Sequence, residues 1–135
     1  VRSKNSANIM MKNMVDLSMG TLGWWAVGYA LAYGNDKTSS LFGNPFVGTG
    51  EFFTIGTEDF AFWFFQLTFA ATAATIGSGA IAERMNFKPY VLCSMWMTCW
   101  IYPIGVHWCW SEQGWLRSLG FFDYAGSGVV HMVGG

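Results

Sequence analysis

The stretch that decides the fold runs from Phe60 to Arg84 and reads FAFWFFQLTFAATAATIGSGAIAER. It carries no charge before its last two residues, and roughly 20 apolar residues are enough for a helix to cross about 30 Å of hydrocarbon. Its first half is rich in Phe, and its second half holds Ala, Thr, Ser and Gly, which let membrane helices approach closely. The stretch therefore predicts a transmembrane helix over about 59–82.

Three other segments share this apolar character. They lie at about 13–33, at about 90–110 and from about 123 to 135. The whole sequence is 53% hydrophobic and only 11% charged, whereas soluble domains carry about 25% charged residues. We therefore predict an all-α fold, a polytopic transmembrane helical bundle in which these four segments are spans or the beginning of one.

Lysine and arginine are unevenly distributed among the connecting segments. Three precede the first span, one (Lys37) follows it, two follow the second span and one follows the third. The positive-inside rule then places the amino terminus and the turn after the second span in the cytoplasm. Glu83 and Arg84 are expected to form an interfacial ion pair or a contact with the helix dipole. No basic run suggests nucleic-acid binding, and the three cysteines have no metal-binding spacing.

Aromatic side chains recur where a pore could lie. Phe62, Phe65 and Phe69 share one helical face, which is typical of lipid contact or core packing but also of stacked rings that exclude water and bare ions. Trp110 ends the third span, where Trp is common as an interfacial anchor. An indole face is also the best aromatic surface for holding a small cation.

The last segment combines a carboxylate with a histidine. Asp123 precedes small residues and is predicted to cap a helix by accepting from the amides of residues 124–126, or to concentrate cations nearby. His131 lies among apolar residues, where an imidazole loses hydration that the surroundings must replace. The bare face between them is suited to packing on a helix or to lining a narrow channel, and the imidazole deeper in favours the channel. His107 is a weaker candidate for a metal or haem ligand, because no second ligand lies three or four residues away.

Residues Phe122 to His131 read FDYAGSGVVH and resemble the signature of the ammonium transporter family, usually DFAGGxVVH. Residues 65–69 with 79–85 resemble the family's third span, and residues 102–110 resemble its fourth. Residues 12–34 resemble its second span. The motifs occur in the family's order and cover essentially the whole chain.

The resemblance implies roles for five residues. Trp110 and Phe65 would cage the arriving cation, Phe65 and Phe69 would form the pore gate, and His131 would be the first of two pore histidines. Asp123 would have a structural and electrostatic role near the outer site. Residues 1–135 would be a partial domain with about three and a half of the family's roughly eleven spans.

The implied function is transmembrane ammonium and ammonia transport. Ammonium would be recruited at the outer aromatic site, deprotonated near the Phe gate and conducted as ammonia along a histidine-lined hydrophobic pore. The resemblance also implies a homotrimer in the lipid bilayer, in the plasma membrane, with no enzyme activity, catalytic residue, cofactor or metal. Alternatives are an ammonium sensor, a gas channel for ammonia and carbon dioxide, and a redox membrane protein using His107 and His131 as haem or quinone contacts.

Overall fold

The computed structural model describes residues 1–34 and 44–135, and this part of the chain is helical without any strand. Its α-helices are α1 (Ser6–Gly23), α2 (Tyr29–Tyr33), α3 (Phe60–Ile81), α4 (Phe87–Trp96), α5 (Tyr102–Trp110) and α6 (Trp115–Ser118). Its π-helical segments are Trp24–Gly28, Met97–Ile101 and Ser127–Met132, and its 3₁₀ turns are Ser3–Asn5 and Phe52–Thr54. Two π-helical segments join α1 to α2 and α4 to α5 without a break. The chain thus forms three long helical stretches, 6–33, 60–81 and 87–110.

A proline explains the wider turn between α4 and α5. Pro103 has no N–H, so the carbonyl of Cys99 cannot receive the usual bond from four residues ahead. The local alternative is a π-helical turn, and the N–H of Tyr102 donates to the carbonyl of Met97, five residues earlier. The helix continues through the proline instead of breaking.

The first and third stretches cross at glycines. A Cβ atom on Gly23 would lie 2.7 Å from the sulfur of Cys99, and one on Gly28 would lie 2.8 Å from the carbonyl oxygen of Thr98. Both distances are too short for any larger residue, so glycine is required for this close approach. The crossing brings the fully buried rings of Trp24 and Tyr102 to 6.0 Å between centroids at the centre of the core.

Helix α3 begins at a capped end and packs through its small residues. The Asp59 carboxylate accepts from the amide of Phe62 at 2.9 Å, which satisfies one free N–H of the first turn. Ala70 and Ala73 are fully buried, and the chain near Gly134 approaches this face so closely that a Cβ there would lie 2.8 Å from the Ala73 carbonyl oxygen. In the described part of the chain, α3 is the helix whose length and composition suffice to cross a membrane.

The helical bounds differ from the predicted spans at three places. Helix α1 begins at Ser6, ahead of the predicted residue 13, and α4 begins at Phe87, ahead of residue 90. The last segment becomes helical only at Ser127 and not at residue 123. The residues at which each span enters and leaves the membrane stay a prediction. Lys37, used for the orientation, lies outside the described residues.

One end of the bundle contains buried charged side chains. We call it the polar end and define it by Arg2, Lys12, Asp16, Glu83 and Tyr90. Lys12 is only 3% exposed, and its ammonium donates to the carbonyls of Ala82 at 3.2 Å and Met85 at 2.9 Å, just beyond α3. It also lies 4.9 Å from the centre of the Tyr90 ring.

Asp16 completes this arrangement one turn further along α1. Its carboxylate is 1% exposed and accepts from the Tyr90 hydroxyl, whereas its Oδ1 has no donor within the described residues. Lys12 contacts the turn that follows α3, and Asp16 contacts α4, so the two residues join α1 to both elements at one end of the bundle. Lys12, one of the three basic residues predicted to precede the first span, lies inside α1.

The expected partnership of Glu83 with Arg84 is wrong. Glu83 instead pairs with Arg2, whose Nε lies 3.2 Å from Oε2, and it accepts from the Asn5 amide at 2.8 Å. The chain turns after Ile81, so the carboxylate faces the start of the first stretch. The hydrogen bonds from the Asn5 side chain and the Arg2 backbone lower the pKa of Glu83 from 4.5 to about 2.

Candidate functional site

Three aromatic rings form a row at the other end of the bundle. The rings of Phe65 and Phe69 are 5.0 Å apart between centroids, and those of Phe69 and Trp110 are 5.7 Å apart. The two pairs meet edge to face, at interplanar angles of 85° and 67°. Phe65 and Phe69 lie four residues apart on α3, and Trp110 is the last residue of α5. We call this row, together with Asp123, the aromatic end.

A cavity of about 170 Å³ lies beside the row. It is lined by Phe65, Gln66, Phe69, Trp110, Tyr124 and Ala125. Aromatic faces carry partial negative charge, so a small cation is attracted to such a cavity without a full ionic partner. Phe65, Phe69 and Trp110 were predicted from the sequence as site residues, whereas Gln66, Tyr124 and Ala125 were not. For Gln66, the available signal in the sequence was its position next to Phe65.

A second cavity, of about 480 Å³, adjoins the first on the side of the connecting segments. Gln66 and Trp110 line both cavities, and Tyr33, Glu112 and Arg117 are among the other lining residues. The Oε1 atom of Gln66 is buried and has no donor within the part of the chain that the structure describes. The larger cavity therefore reaches Trp110, the last ring of the aromatic row.

Trp110 is held on several sides. Its Nε1 donates to the backbone carbonyl of Asp123 at 2.9 Å, and its own carbonyl accepts from the guanidinium of Arg117. Its ring meets Phe69 edge to face. The indole therefore has a fixed orientation beside the cavity, with its polar N–H already satisfied and its π face available.

Asp123 caps the last helical segment, but only one of the predicted amides, that of Gly126, is among its donors. Its carboxylate accepts from the backbone N–H groups of Gly126, Ser127, Gly128 and Val129, at 2.8–3.0 Å. The predicted donors were residues 124–126. The difference arises because Gly126 has φ +89°, which turns the chain so that the helix begins only at Ser127. The carboxylate is thus occupied by internal hydrogen bonds.

His131 lies on the same helical segment but apart from the aromatic row. His131 is exposed in the described structure, and it is not among the residues that line the 170 Å³ cavity. Its backbone N–H donates to the Gly126 carbonyl at 3.0 Å. The structure therefore brings together Phe65, Phe69, Trp110 and the Asp123 backbone, and leaves His131 outside this group.

His107 has hydrogen-bond partners that account for its burial. The residue is fully buried, with Nδ1 2.8 Å from the carbonyl oxygen of Ala32 and Nε2 2.7 Å from that of Asn44. Both ring nitrogens are occupied, which leaves neither for a metal or haem. Among the described residues, no three His, Cys, Asp or Glu side chains are grouped as metal ligands.

A bundle of long helices that cross at glycines, with an apolar α3 and an aromatic cavity at one end, defines the class: an integral membrane protein of the transporter type. Comparison with models of known protein families identifies the family within this class. The chain belongs to the Ammonium Transporter Family, whose model matches residues 1–135. The prediction that it is not an enzyme agrees with membership of a transporter family.

Curated relatives align along essentially the whole chain. A putative ammonium transporter 1 from Caenorhabditis elegans is 45% identical over 100% of this chain and 26% of its own length. Ammonium transporter 3 from Dictyostelium discoideum is 41% identical over 100% of the chain and 30% of its own length. The chain therefore spans less than a third of the length of these relatives.

Solved structures agree with the fold. A structure titled "Sensor Amt Protein" superposes with a TM-score of 0.87 at 38% identity, over 99% of this chain and 35% of its own. The Mep2 protein of Saccharomyces cerevisiae superposes with a TM-score of 0.74 at 28% identity, over 90% of this chain and 29% of its own. The all-α, membrane-bundle prediction is thus confirmed.

Proposed function

We propose that the full-length protein transports ammonium across a membrane and that the aromatic end is its entry site. The observation that carries the proposal is the row of Phe65, Phe69 and Trp110 beside a 170 Å³ cavity. A cation at the Trp110 face gains roughly 0.5–2 kcal/mol from the ring, more as it is desolvated. Such a site attracts ammonium and potassium alike, so selectivity must arise at a later step.

Phe69 supplies that step in the proposed mechanism. It lies one helical turn from Phe65, where its ring restricts the path beyond Trp110. A bare ion that enters an apolar constriction loses its hydration at a large cost in free energy. Ammonium avoids this cost by releasing a proton, which crosses separately by way of the pore histidine, and by passing as neutral ammonia. Potassium has no such alternative. Deprotonation near the gate thus selects ammonium.

His131 is the proposed pore histidine. It follows the capped start of the last helical segment, and a neutral imidazole can offer a ring nitrogen to ammonia or take part in moving the proton. We expect His131→Ala in the full-length protein to reduce ammonium flux. Unchanged flux together with unchanged selectivity against potassium would remove His131 from the mechanism.

The experiment that tests the function uses the full-length protein in proteoliposomes. An inward current on addition of ammonium, with none on addition of potassium, is expected for electrogenic transport. Alkalinisation of the lumen without current would instead indicate net ammonia conduction, as in a gas channel. Phe69→Ala opens the constriction, and we expect it to admit potassium current, with Phe64→Ala as control because Phe64 is exposed on the same helix and does not line the cavity.

A sensor is the second candidate function. It is favoured by the superposition on the structure titled "Sensor Amt Protein", with a TM-score of 0.87. A sensor would use the same aromatic site but bind ammonium with little flux. Saturable ammonium binding to the full-length protein, combined with no flux in proteoliposomes, would favour this function over transport.

We also propose that the full-length protein forms a homotrimer in the plasma membrane, as its family resemblance implies. The measurement is light scattering of the full-length protein in detergent, with the contribution of detergent subtracted. A mass three times that of one subunit is expected. Localisation of a fluorescent fusion to an internal membrane would contradict the plasma-membrane assignment.

A further inference from the structure

The strongest unassigned feature is the buried ring of His107. It is 0% exposed, and its two ring nitrogens lie 2.8 Å and 2.7 Å from the carbonyl oxygens of Ala32 and Asn44. These carbonyls are 75 and 63 residues away in the chain. The ring therefore joins α5 to the end of α2 and to the segment that precedes α3.

The chemistry of the partners fixes the charge of the ring. Carbonyl oxygens only accept hydrogen bonds, so both nitrogens of His107 must donate. A neutral imidazole has one N–H, and its bare nitrogen would face an oxygen lone pair at hydrogen-bond distance. The imidazolium has two N–H groups and satisfies both carbonyls through charge-assisted bonds.

The carboxyl ends of two helices also favour a positive charge on the His107 ring. His107 lies in the last turn of α5, and Ala32 lies in the last turn of α2. The carboxyl end of a helix carries a partial negative charge and carbonyls without intrahelical partners. An imidazolium placed between two such ends is stabilised by both, which offsets the cost of burying the charge.

The ring is also one of three donors that hold a single short segment. The consecutive carbonyls of residues 44, 45 and 46 accept from His107 Nε2, from the amide of Trp115 at 3.2 Å and from the indole of Trp108 at 2.9 Å. His107 and Trp108 belong to α5, and Trp115 begins α6. The last turn of α5, which ends in Trp110, is thereby fixed against the connecting segments.

We propose that His107 is a positioning residue that orients Trp110 and that it does so as an imidazolium. The proposal deepens the function proposed above, because the consequence for transport rests on Trp110 binding ammonium. The imidazolium holds the last turn of α5 between the end of α2 and residue 44, so the indole face stays aligned with the cavity. A side chain that cannot direct N–H groups at both carbonyls leaves one of them without its bond and loosens this turn.

The charge is tested by nitrogen NMR on the full-length protein in lipid, with histidine labelled with ¹⁵N. At neutral pH we expect both ring nitrogens of His107 to give protonated-type signals, assigned by their loss in His107→Gln. A bare, pyridine-type nitrogen signal from His107 would overturn the proposal. The NMR result does not depend on transport, so it tests the charge of His107 separately from the proposed function.

The positioning role is tested by ammonium uptake in proteoliposomes. If the aligned state is populated for only about a tenth to a third of the time in His107→Gln, KM rises roughly 3–10-fold while the maximal rate changes little. Trp100→Phe, which changes an exposed indole that lines neither cavity, is the control and is expected to leave KM unchanged. His107→Lys restores a charged donor and should recover part of the affinity. Equal KM values for wild type and His107→Gln would overturn the positioning role.

Discussion

The two ends of the bundle use buried polar groups in opposite ways. At the polar end, Lys12 donates to the carbonyls of Ala82 and Met85, and Asp16 accepts from the hydroxyl of Tyr90. At the aromatic end, the carboxylate of Asp123 caps a helical segment, and aromatic rings line the neighbouring cavity. Buried charges thus join helices at the polar end, whereas at the aromatic end the charge serves a helix start and the cavity is lined by rings.

The largest effect is expected at the aromatic end, from Asp123→Ala. The change leaves four amides without an acceptor, and those of Gly126 and Val129 are buried. An unsatisfied buried N–H costs about 1–3 kcal/mol, so the loss is roughly 2–6 kcal/mol for these two. We expect a large fall in the thermal unfolding midpoint of the full-length protein, measured in detergent.

Asp123→Asn separates capping from charge in this experiment. It keeps one acceptor oxygen, so we expect it to retain part of the lost stability. If Asp123→Ala unfolds at the wild-type temperature, the carboxylate does not stabilise the aromatic end. This result would contradict the proposed difference between the two ends.

At the polar end, a smaller effect is expected from Lys12→Met. Methionine fills a similar volume but leaves the carbonyls of Ala82 and Met85 without their donor, at a cost of roughly 1–3 kcal/mol. The thermal midpoint should fall while KM for ammonium stays at the wild-type value. Lys4→Met is the matched control, because Lys4 is exposed. A raised KM in Lys12→Met would mean that the two ends are coupled.

The smallest effect is expected from Glu83→Gln, at the exposed edge of the polar end. The pKa of Glu83 is lowered to about 2, from 4.5, chiefly by the hydrogen bond from Asn5. Its contribution to stability is therefore complete above about pH 4.5 and is lost as the pH falls through about 2. The thermal midpoints of wild type and Glu83→Gln should differ slightly at pH 7 and converge towards pH 2. A constant difference over this range would exclude the carboxylate as the cause.

The sequence was sufficient to predict those contacts that join residues close together in the chain. Phe65 and Phe69 lie four residues apart on one helix, so their edge-to-face contact follows from helical periodicity. The capping role of Asp123 also followed from its neighbours, but of its four amide donors only Gly126 was predicted, because the positive φ of Gly126 moves the helix start to Ser127. An apolar stretch with small residues was enough to predict a membrane bundle.

The contacts that could not be predicted join residues that are distant in the chain. The carbonyls that bind His107 belong to Ala32 and Asn44, and no spacing rule relates these residues. Lys12 was assigned to a connecting segment because charge usually marks a helix end, whereas here its side chain satisfies carbonyls beyond α3. Tertiary hydrogen bonds of this kind cannot be derived from the periodicity of one helix.

The central claim is that the Trp110 face in the aromatic cavity binds the arriving ammonium ion. The most direct test is the KM for ammonium uptake by the full-length protein with Trp110→Leu, compared with Trp100→Leu, which changes an exposed indole that lines neither cavity. Loss of a cation–π contact of roughly 0.5–2 kcal/mol predicts a KM about 2–30 times higher for Trp110→Leu and a nearly unchanged KM for Trp100→Leu. Equal KM values for Trp110→Leu and wild type would contradict the account.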